Sequence, residues 1–304
     1  MSQDTETRPT AAALCMTMAT LLIGGVDTLI IILSEQIGLW QFHFVRALFA
    51  APLVMILPLL GLGTLRPRRI WAIAVRSGLV GLSMLLYFSA LALMPIAQAL
   101  AGLFTSPIFI LLISWIFFRQ RVGFVRISSV IIGFIGILMV LQLKTDNLTG
   151  LTFLPIAAGF FYALGALATR TICAGESTVA LLAGMWVMLW IMGAVGLVVL
   201  AVFPIEAAEG SAGFATRGWI WPIWSSLKWL IMQAWLSVIA VFLIIKAYQL
   251  GEASHVSIFE YSVMVFGPLY ALFLFDQTLV FPQVAGIGLV ITAGVVVALR
   301  SRPT

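Results

Sequence analysis

The sequence predicts an all-α polytopic membrane protein whose ten transmembrane helices form two inverted five-helix repeats. Three observations predict this fold class: the composition, the spacing of the apolar stretches and an internal duplication. Of the 304 residues, 62% are hydrophobic and 9% are charged, whereas soluble domains carry about 25% charged residues. A soluble fold could not bury so much apolar surface, so the chain is expected to lie in lipid.

Ten apolar stretches are each long enough to cross a bilayer, which takes about 20 helical residues. They are separated by charged and turn-forming residues, and the longest connection between them runs from Pro204 to Ser226. The predicted spans are residues 11–33, 39–61, 70–93, 96–118, 124–142, 150–171, 178–203, 228–249, 254–275 and 281–299.

An internal duplication organises these spans. Residues 90–141 align with residues 247–298 at a constant offset of 157 positions, and the register includes polar as well as apolar matches. Five spans per half is an odd number, so the second half starts from the opposite side of the membrane. Inverted repeats of this kind are typical of secondary transporters. The register pairs Phe118 with Phe275, Gln120 with Gln277 and Phe124 with Phe281.

The duplication divides the chain into a cytoplasmic tail at 1–10, a first repeat at 11–142, a second repeat at 150–299 and a cytoplasmic tail at 300–304. The positive-inside rule gives the orientation. Both termini are predicted to be cytoplasmic, in a multi-pass protein of the cell inner (plasma) membrane. The inner ends then hold Arg8, Arg66, Arg68, Arg69, Arg119, Arg121, Arg170, Arg300 and Arg302, and the outer ends hold Lys144, Arg217 and Lys228.

Several function classes are disfavoured. The chain has no HExxH, GxSxG or P-loop pattern and only two histidines, so a membrane enzyme is not predicted. Cys15 and Cys173 lie in different spans and form no metal-ligand pair. We therefore predict no metal and no cofactor, and the expected partners are a small-molecule substrate and the lipid bilayer, not nucleic acid.

Five ionisable residues lie at membrane depth, where a charge costs at least about 2.5–3.5 kcal/mol. Asp27 is either a gate, a substrate partner or proton site, or a carboxylate that reaches the outer interface or caps a broken helix. Glu260 either binds substrate or a proton, or forms an internal ion pair with Lys246. Arg46 is predicted to hold structure by pairing with Asp27 or an outer-loop carbonyl. His43 is either a packing residue or part of a proton relay. Arg76, by contrast, is expected to extend to the inner interface.

Neutral polar residues recur at helical spacing on several spans. Such a stripe on one span could join helices, but stripes on five spans together predict a shared lumen, mostly apolar and aromatic. The predicted substrate-binding residues are Tyr87, Gln98, Thr105, Tyr162, Gln233, Ser237 and Glu260.

Four local features carry a family resemblance. They are the arginine in residues 44–48, the short turn at 92–95, Pro107 within the fourth span, and the glycine-containing hairpin end at 133–140. In this order they resemble EamA-type members of the drug/metabolite transporter superfamily, most closely the YddG-type aromatic amino-acid exporters. The chain departs from the family at residues 119–120 and 276–277, where Arg-Gln and Asp-Gln replace Gly-Glu.

The resemblance implies a function. It implies export of aromatic and other neutral amino acids, including threonine and methionine, through a cavity formed by spans 1, 3, 4, 6, 8 and 9. The alternative on the same fold is a multidrug, metabolite or lipid exporter. Alternating access of the two halves is the expected mechanism, with proton coupling and oligomeric state left open.

Overall fold

The chain folds into a bundle of α-helices in a computed structural model, which describes residues 8–94, 96–119, 123–141, 153–263, 265–267, 269–270 and 280–300. The helices are α1 (Pro9–Val26), α2 (Thr28–Gln36), α3 (Leu39–Ile56), α4 (Ile70–Leu93), α5 (Ile96–Leu103), α6 (Ser106–Ile116), α7 (Phe124–Leu141), α8 (Phe153–Arg170), α9 (Thr178–Val202), α10 (Trp224–Leu250), α11 (Ala253–Glu260) and α12 (Phe281–Arg300).

Six helices in the described part of the chain are long and apolar enough to cross a membrane: α1, α3, residues Ile70–Leu91 of α4, α8, α9 and α10. The protein is therefore a multi-pass membrane protein. The count of ten spans and the cytoplasmic position of the termini stay predictions. The register markers Gln120, Asp276 and Gln277 and the link between the predicted repeats lie outside the described residues.

Three predicted spans are not continuous helices. The first divides at Asp27 into α1 and α2, the fourth divides at Phe104 and Thr105 into α5 and α6, and the ninth is interrupted at Tyr261 and Ser262, with helical residues resuming at Val263. Hydrophobicity identified these spans correctly as apolar stretches but could not show the breaks. A break depends on local backbone hydrogen bonds, which an average over 20 residues does not record.

Two of the breaks are equivalent in the duplication. Thr105 and Ser262 are 157 positions apart, and both lie in a two-residue turn. The Thr105 hydroxyl donates to the carbonyl of Gly102 at 2.6 Å, and the Ser262 hydroxyl donates to the carbonyl of Phe259 at 2.6 Å. Each hydroxyl thus bonds the residue three positions earlier, which satisfies a carbonyl near the break in the helix.

The two halves of the chain are interleaved. The main helix pairs are α1 with α10, α3 with α9, α4 with α8, and α7 with α12, and α6 also packs on α11. Every pair joins one helix from each half. If each helix is replaced by its equivalent in the other half, the same set of pairs results. The division at 11–142 and 150–299 stays a prediction, although the pairing agrees with the inverted repeat that it implies.

Glycine allows a close contact in one of these pairs, between α3 and α9. A Cβ atom built on Gly193 would lie 2.7 Å from the backbone nitrogen of Phe44 and 2.8 Å from the carbonyl oxygen of Trp40. One built on Gly196 would lie 2.0 Å from the Trp40 ring. Small residues at such crossings let membrane helices approach closely.

The two ends of the bundle differ in chemistry. At one end, Arg126 forms an ion pair with Glu252, and the Arg170 guanidinium donates to the carbonyl of Gly251 at 2.6 Å. We call this the basic end. At the opposite end, residues 203–223 cover the junction of α2 and α3, where Arg217 donates to the carbonyls of Ser34 and Ile37 at 2.8 and 3.1 Å. This connection thereby closes the end opposite the basic end.

We predict that Gly193→Ala lowers the free energy of unfolding by about 1–3 kcal/mol, because its new methyl group must displace backbone atoms of α3. Thermal or denaturant unfolding in detergent would measure this change. Gly78→Ala is the matched control, since its Cβ would meet only the Met188 methyl group at 4.0 Å. An equal effect of the two substitutions would show that the α3–α9 contact is not specially tight.

Candidate functional site

A cavity of about 130 Å³ lies at the centre of the bundle. Residues of α1, α3, α4, α5, α6, α8, α9, α10 and α11 line it, together with residues at the breaks in the first, fourth and ninth spans. Its walls are largely apolar and aromatic. The main apolar residues are Met16, Met84, Met185, Phe88, Phe104 and Trp186.

The cavity is elongated along the bundle. On α4 it extends from Arg76 to Phe88, and on α10 from Gln233 to Ile244. At 1.5 Å per helical residue these stretches are about 16–18 Å long. Arg76 and Ile244 lie toward the basic end, whereas Phe88 and Gln233 lie toward the opposite end. The cavity is therefore long and narrow.

The cavity lining contains pairs of positions related by the 157-residue duplication. Six positions of the first half line the cavity together with the six positions 157 residues later. The cavity consequently lies where the two halves meet, as a central transport site between inverted repeats requires. The pairs are Arg76 and Gln233, Val80 and Ser237, Met84 and Val241, Tyr87 and Ile244, Leu103 and Glu260, and Ser106 and Val263.

One polar cluster is organised by Arg46, which is buried at 4% exposure. Its guanidinium donates to the side-chain oxygen of Gln233 at 3.1 Å. The guanidinium carbon also lies 4.7 Å from the ring centre of Phe42, 4.8 Å from that of Trp186 and 5.5 Å from that of Phe88. Aromatic faces and an amide thus hold this charge.

In the described structure, Arg46 does not make the predicted hydrogen bond to Asp27 or to an outer-loop carbonyl. Arg46 bonds Gln233 instead, because α10 packs directly against α3 and brings the amide to the guanidinium. Asp27 lines the same cavity, and its carboxylate accepts a hydrogen bond from the Tyr87 hydroxyl at 3.4 Å. Among the described residues, Tyr87 is the one hydrogen-bond partner of the Asp27 side chain.

A second polar cluster surrounds Glu260, buried at 4% exposure at the end of α11. Its carboxylate accepts hydrogen bonds from the hydroxyls of Tyr248 at 2.5 Å, Tyr162 at 2.9 Å and Ser106 at 3.5 Å. The predicted alternative of an ion pair with Lys246 is wrong. Lys246 is exposed and lines a different pocket at the basic end, because it faces away from the lumen side of α10.

Three other predicted residues fall in different places. Ser237 lines the cavity. Thr105 does not, because its hydroxyl bonds the Gly102 carbonyl at the break in the fourth span. His43 is fully buried with its ring 5.1 Å from that of Phe42 and 5.2 Å from that of Phe88, and neither nitrogen has a hydrogen-bond partner in the described structure. His43 is thus a packing residue here, and it does not line the cavity. The side chain of Gln98 lies outside the described set.

Three residues of the cavity and its polar clusters were missed from the sequence. No sequence pattern singled out Ser106. Tyr248 continues the stripe of Gln233, Ser237, Ala240 and Ile244 by one more step of four, so that extending the stripe would have found it. Arg76 does not reach the inner interface as expected: it is buried at 4% exposure, lines the cavity and donates to the Thr169 hydroxyl at 3.1 Å and the Leu181 carbonyl at 3.3 Å.

The known proteins that this chain resembles include named transporters. Residues 10–142 match the EamA-like transporter family. A riboflavin transporter of Rhizobium johnstonii is 27% identical over 228 residues, 75% of this chain and 68% of that protein. A riboflavin transporter of Vibrio cholerae is 28% identical over 260 residues, 84% and 81% of the two chains. An S-adenosylmethionine uptake transporter of Rickettsia bellii is 21% identical over 248 residues.

The fold is likewise known. A solved crystal structure superposes on this chain with a TM-score of 0.75, covering 98% of this chain and 100% of the other at 16% identity. The names of the relatives indicate transport, not catalysis, and they name substrates other than amino acids. The aromatic amino-acid specificity expected from the sequence therefore has no support among them.

We predict that Gln233→Leu lowers the free energy of unfolding by about 1–3 kcal/mol, because the buried guanidinium of Arg46 loses its acceptor. Gln233→Glu keeps an oxygen at the same place and should retain most of the stability. Unfolding in detergent measures both variants. If the Leu variant were as stable as the parent protein, the three aromatic rings alone would hold Arg46.

Proposed function

We propose that this chain is an EamA-type transporter of the drug/metabolite transporter superfamily and that it transports a riboflavin-type metabolite across the inner membrane; the match of residues 10–142 and the two riboflavin transporters among the relatives support this. Such a compound carries a planar heteroaromatic ring system and a polar hydroxylated chain. The observation that carries the proposal is the elongated apolar and aromatic cavity with a hydrogen-bonding cluster toward each end. Both termini in the cytoplasm and a five-plus-five inverted repeat belong to this proposal.

The walls of the cavity suit a flat ring. Phe88, Phe104 and Trp186 supply aromatic surface, and aromatic rings prefer offset-stacked or edge-to-face contacts with other rings. Specificity in such pockets comes from a few well-placed polar groups within an apolar lining. The Arg46 and Glu260 clusters are such groups, and they have donors and acceptors for both ring edges and hydroxyls.

The polar clusters leave binding capacity for a ligand. Asp27 receives one long hydrogen bond, and Glu260 is held by neutral hydroxyls. A buried carboxylate without a cation partner is costly in an apolar bundle. Ligand hydroxyl or ring N–H groups donating to these oxygens would offset part of that cost.

The cavity must expand to hold a flavin. Its 130 Å³ is below the roughly 300–1,000 Å³ of pockets that enclose small organic ligands. Met16, Met84 and Met185 line it, and methionine side chains change shape at low cost. On this proposal, the structure represents a contracted state of an alternating-access cycle, in which the two halves rock about the cavity.

A specific observation favours a second substrate class. Asp27 and Arg46 line the same part of the cavity, so that a carboxylate and a guanidinium are both available to a zwitterion. Aromatic and other neutral amino acids carry such charges, and their small size suits the contracted cavity. Export of these amino acids is the alternative proposal, to be tested in the same assay.

We predict that purified protein in liposomes catalyses uptake of radiolabelled riboflavin above empty liposomes, saturably and in competition with unlabelled riboflavin. Labelled phenylalanine and threonine are measured in parallel, with and without a pH gradient. Riboflavin flux equal to that of empty liposomes, with amino-acid flux above it, would overturn the flavin proposal in favour of the alternative. Flux that does not respond to a pH gradient would exclude proton coupling.

We predict that Glu260→Gln raises the half-saturating substrate concentration about ten-fold, because a charge-assisted hydrogen bond is worth about 1.4 kcal/mol more than its neutral replacement. Glu252→Gln removes a carboxylate from the same half of the chain but outside the cavity, and should transport normally. If Glu260 carries a proton, Glu260→Gln also abolishes any response to a pH gradient. Normal kinetics of Glu260→Gln would remove this residue from the site.

A further inference from the structure

A second pocket, of about 480 Å³, lies at the basic end and is separate from the central cavity. It is bounded by the connection between α3 and α4, the connection between α8 and α9, and the last turn of α10. We call it the basic pocket. Four cationic side chains line it together with a single acidic one. They are Arg66, Arg68, Arg170 and Lys246, with Glu176.

The one acidic residue does not neutralise the cations. The Glu176 carboxylate is buried at 5% exposure and accepts hydrogen bonds from the backbone N–H groups of Arg68 at 2.9 Å and Arg69 at 2.6 Å. It therefore fixes the α3–α4 connection in place. Within the ranges that the structure describes, Arg66 and Lys246 are exposed and have no carboxylate within ion-pair distance.

Hydrogen bonds hold together the segments that form the basic pocket. The backbone N–H of Thr64 donates to the Ser177 hydroxyl at 2.9 Å, which ties the α3–α4 connection to the start of α9. Gln249 donates to the Glu176 carbonyl at 2.8 Å and accepts from the Thr178 hydroxyl at 2.6 Å, which ties α10 to the same place. The cationic side chains therefore lie on segments that these hydrogen bonds hold together.

Two further features favour an anion there. The 25-residue helix α9 begins at the pocket with Thr178, so the positive end of its dipole adds to the four side-chain charges. The pocket also lies at the ends of membrane-spanning helices, at the level where lipid head groups meet water. Arginine and lysine together are typical of phosphate recognition.

We propose that the basic pocket binds a phosphate-bearing anion, supplied either by a phospholipid head group or by a soluble phosphate compound. The site is distinct from the transport cavity, because the hydrogen bond from Arg76 to the Thr169 hydroxyl lies between them. A bound phosphate would join the two connections and α10 at this end of the bundle. It would therefore stabilise the folded protein independently of transport substrate.

The test measures thermal unfolding of the full chain in uncharged detergent. Inorganic phosphate is titrated in one arm and short-chain phosphatidylglycerol in the other, with sodium chloride at matched ionic strength and short-chain phosphatidylcholine as controls. A ligand that binds only the folded state raises the unfolding temperature saturably. We expect such a rise with phosphatidylglycerol, with phosphate, or with both, and the arm that responds identifies the source.

The variant Arg66→Gln/Lys246→Gln should bind the responding ligand at least about ten-fold more weakly, since each substitution removes a charge-assisted contact. The matched control is Arg69→Gln/Lys228→Gln, which removes the same charge from residues that do not line the pocket. Arg66→Lys/Lys246→Arg keeps both charges and should bind nearly as the parent does, so that a folding defect in the Gln variant does not decide the result. No saturable rise in either arm, or equal binding by the two Gln variants, overturns the proposal.

Discussion

The rest of the structure depends on one constraint: backbone polar groups and charges inside an apolar bundle must find their partners within the protein, because lipid offers none. The helix breaks show how this is met. Thr105 and Ser262 bond carbonyls of the preceding turn, and the Thr20 and Ser262 hydroxyls lie 2.6 Å apart across two helices. Breaks can therefore occur only in the interior of the bundle, and the central cavity lies beside them.

The same constraint explains the charges at the cavity. Arg46 is held by three rings and an amide, and Glu260 by three hydroxyls, so neither charge has an opposite charge as its hydrogen-bond partner. Ion pairs would have made these residues structural and left little capacity for a ligand. Neutral partners hold each group in one geometry while keeping its charge available. In a transporter this favours recognition by hydrogen bonds over recognition by net charge.

The duplication shapes the cavity but does not determine its chemistry. Equivalent positions line it from both sides, yet Arg76 is matched by Gln233, and Leu103 by Glu260. The symmetric part, the breaks and the helix pairs, places two similar halves on either side of one cavity, as the proposed alternating access requires. The asymmetric part decides what binds there. Substrate class can therefore differ among relatives with the same fold, as the riboflavin and S-adenosylmethionine transporters among them illustrate.

The sequence by itself determined the membrane class, the apolar stretches, the 157-residue register and most of the polar positions, because hydrophobicity and helical period are local properties. Tertiary structure alone decided which polar groups meet. Tyr87 and Gln233 were predicted from stripes and do line the cavity. How distant helices pack decides the other features: the partner of Arg46, the burial of Arg76 and the separation of Lys246 from Glu260. A side chain acquires a partner only when the fold brings another helix to it, and no local pattern carries that information.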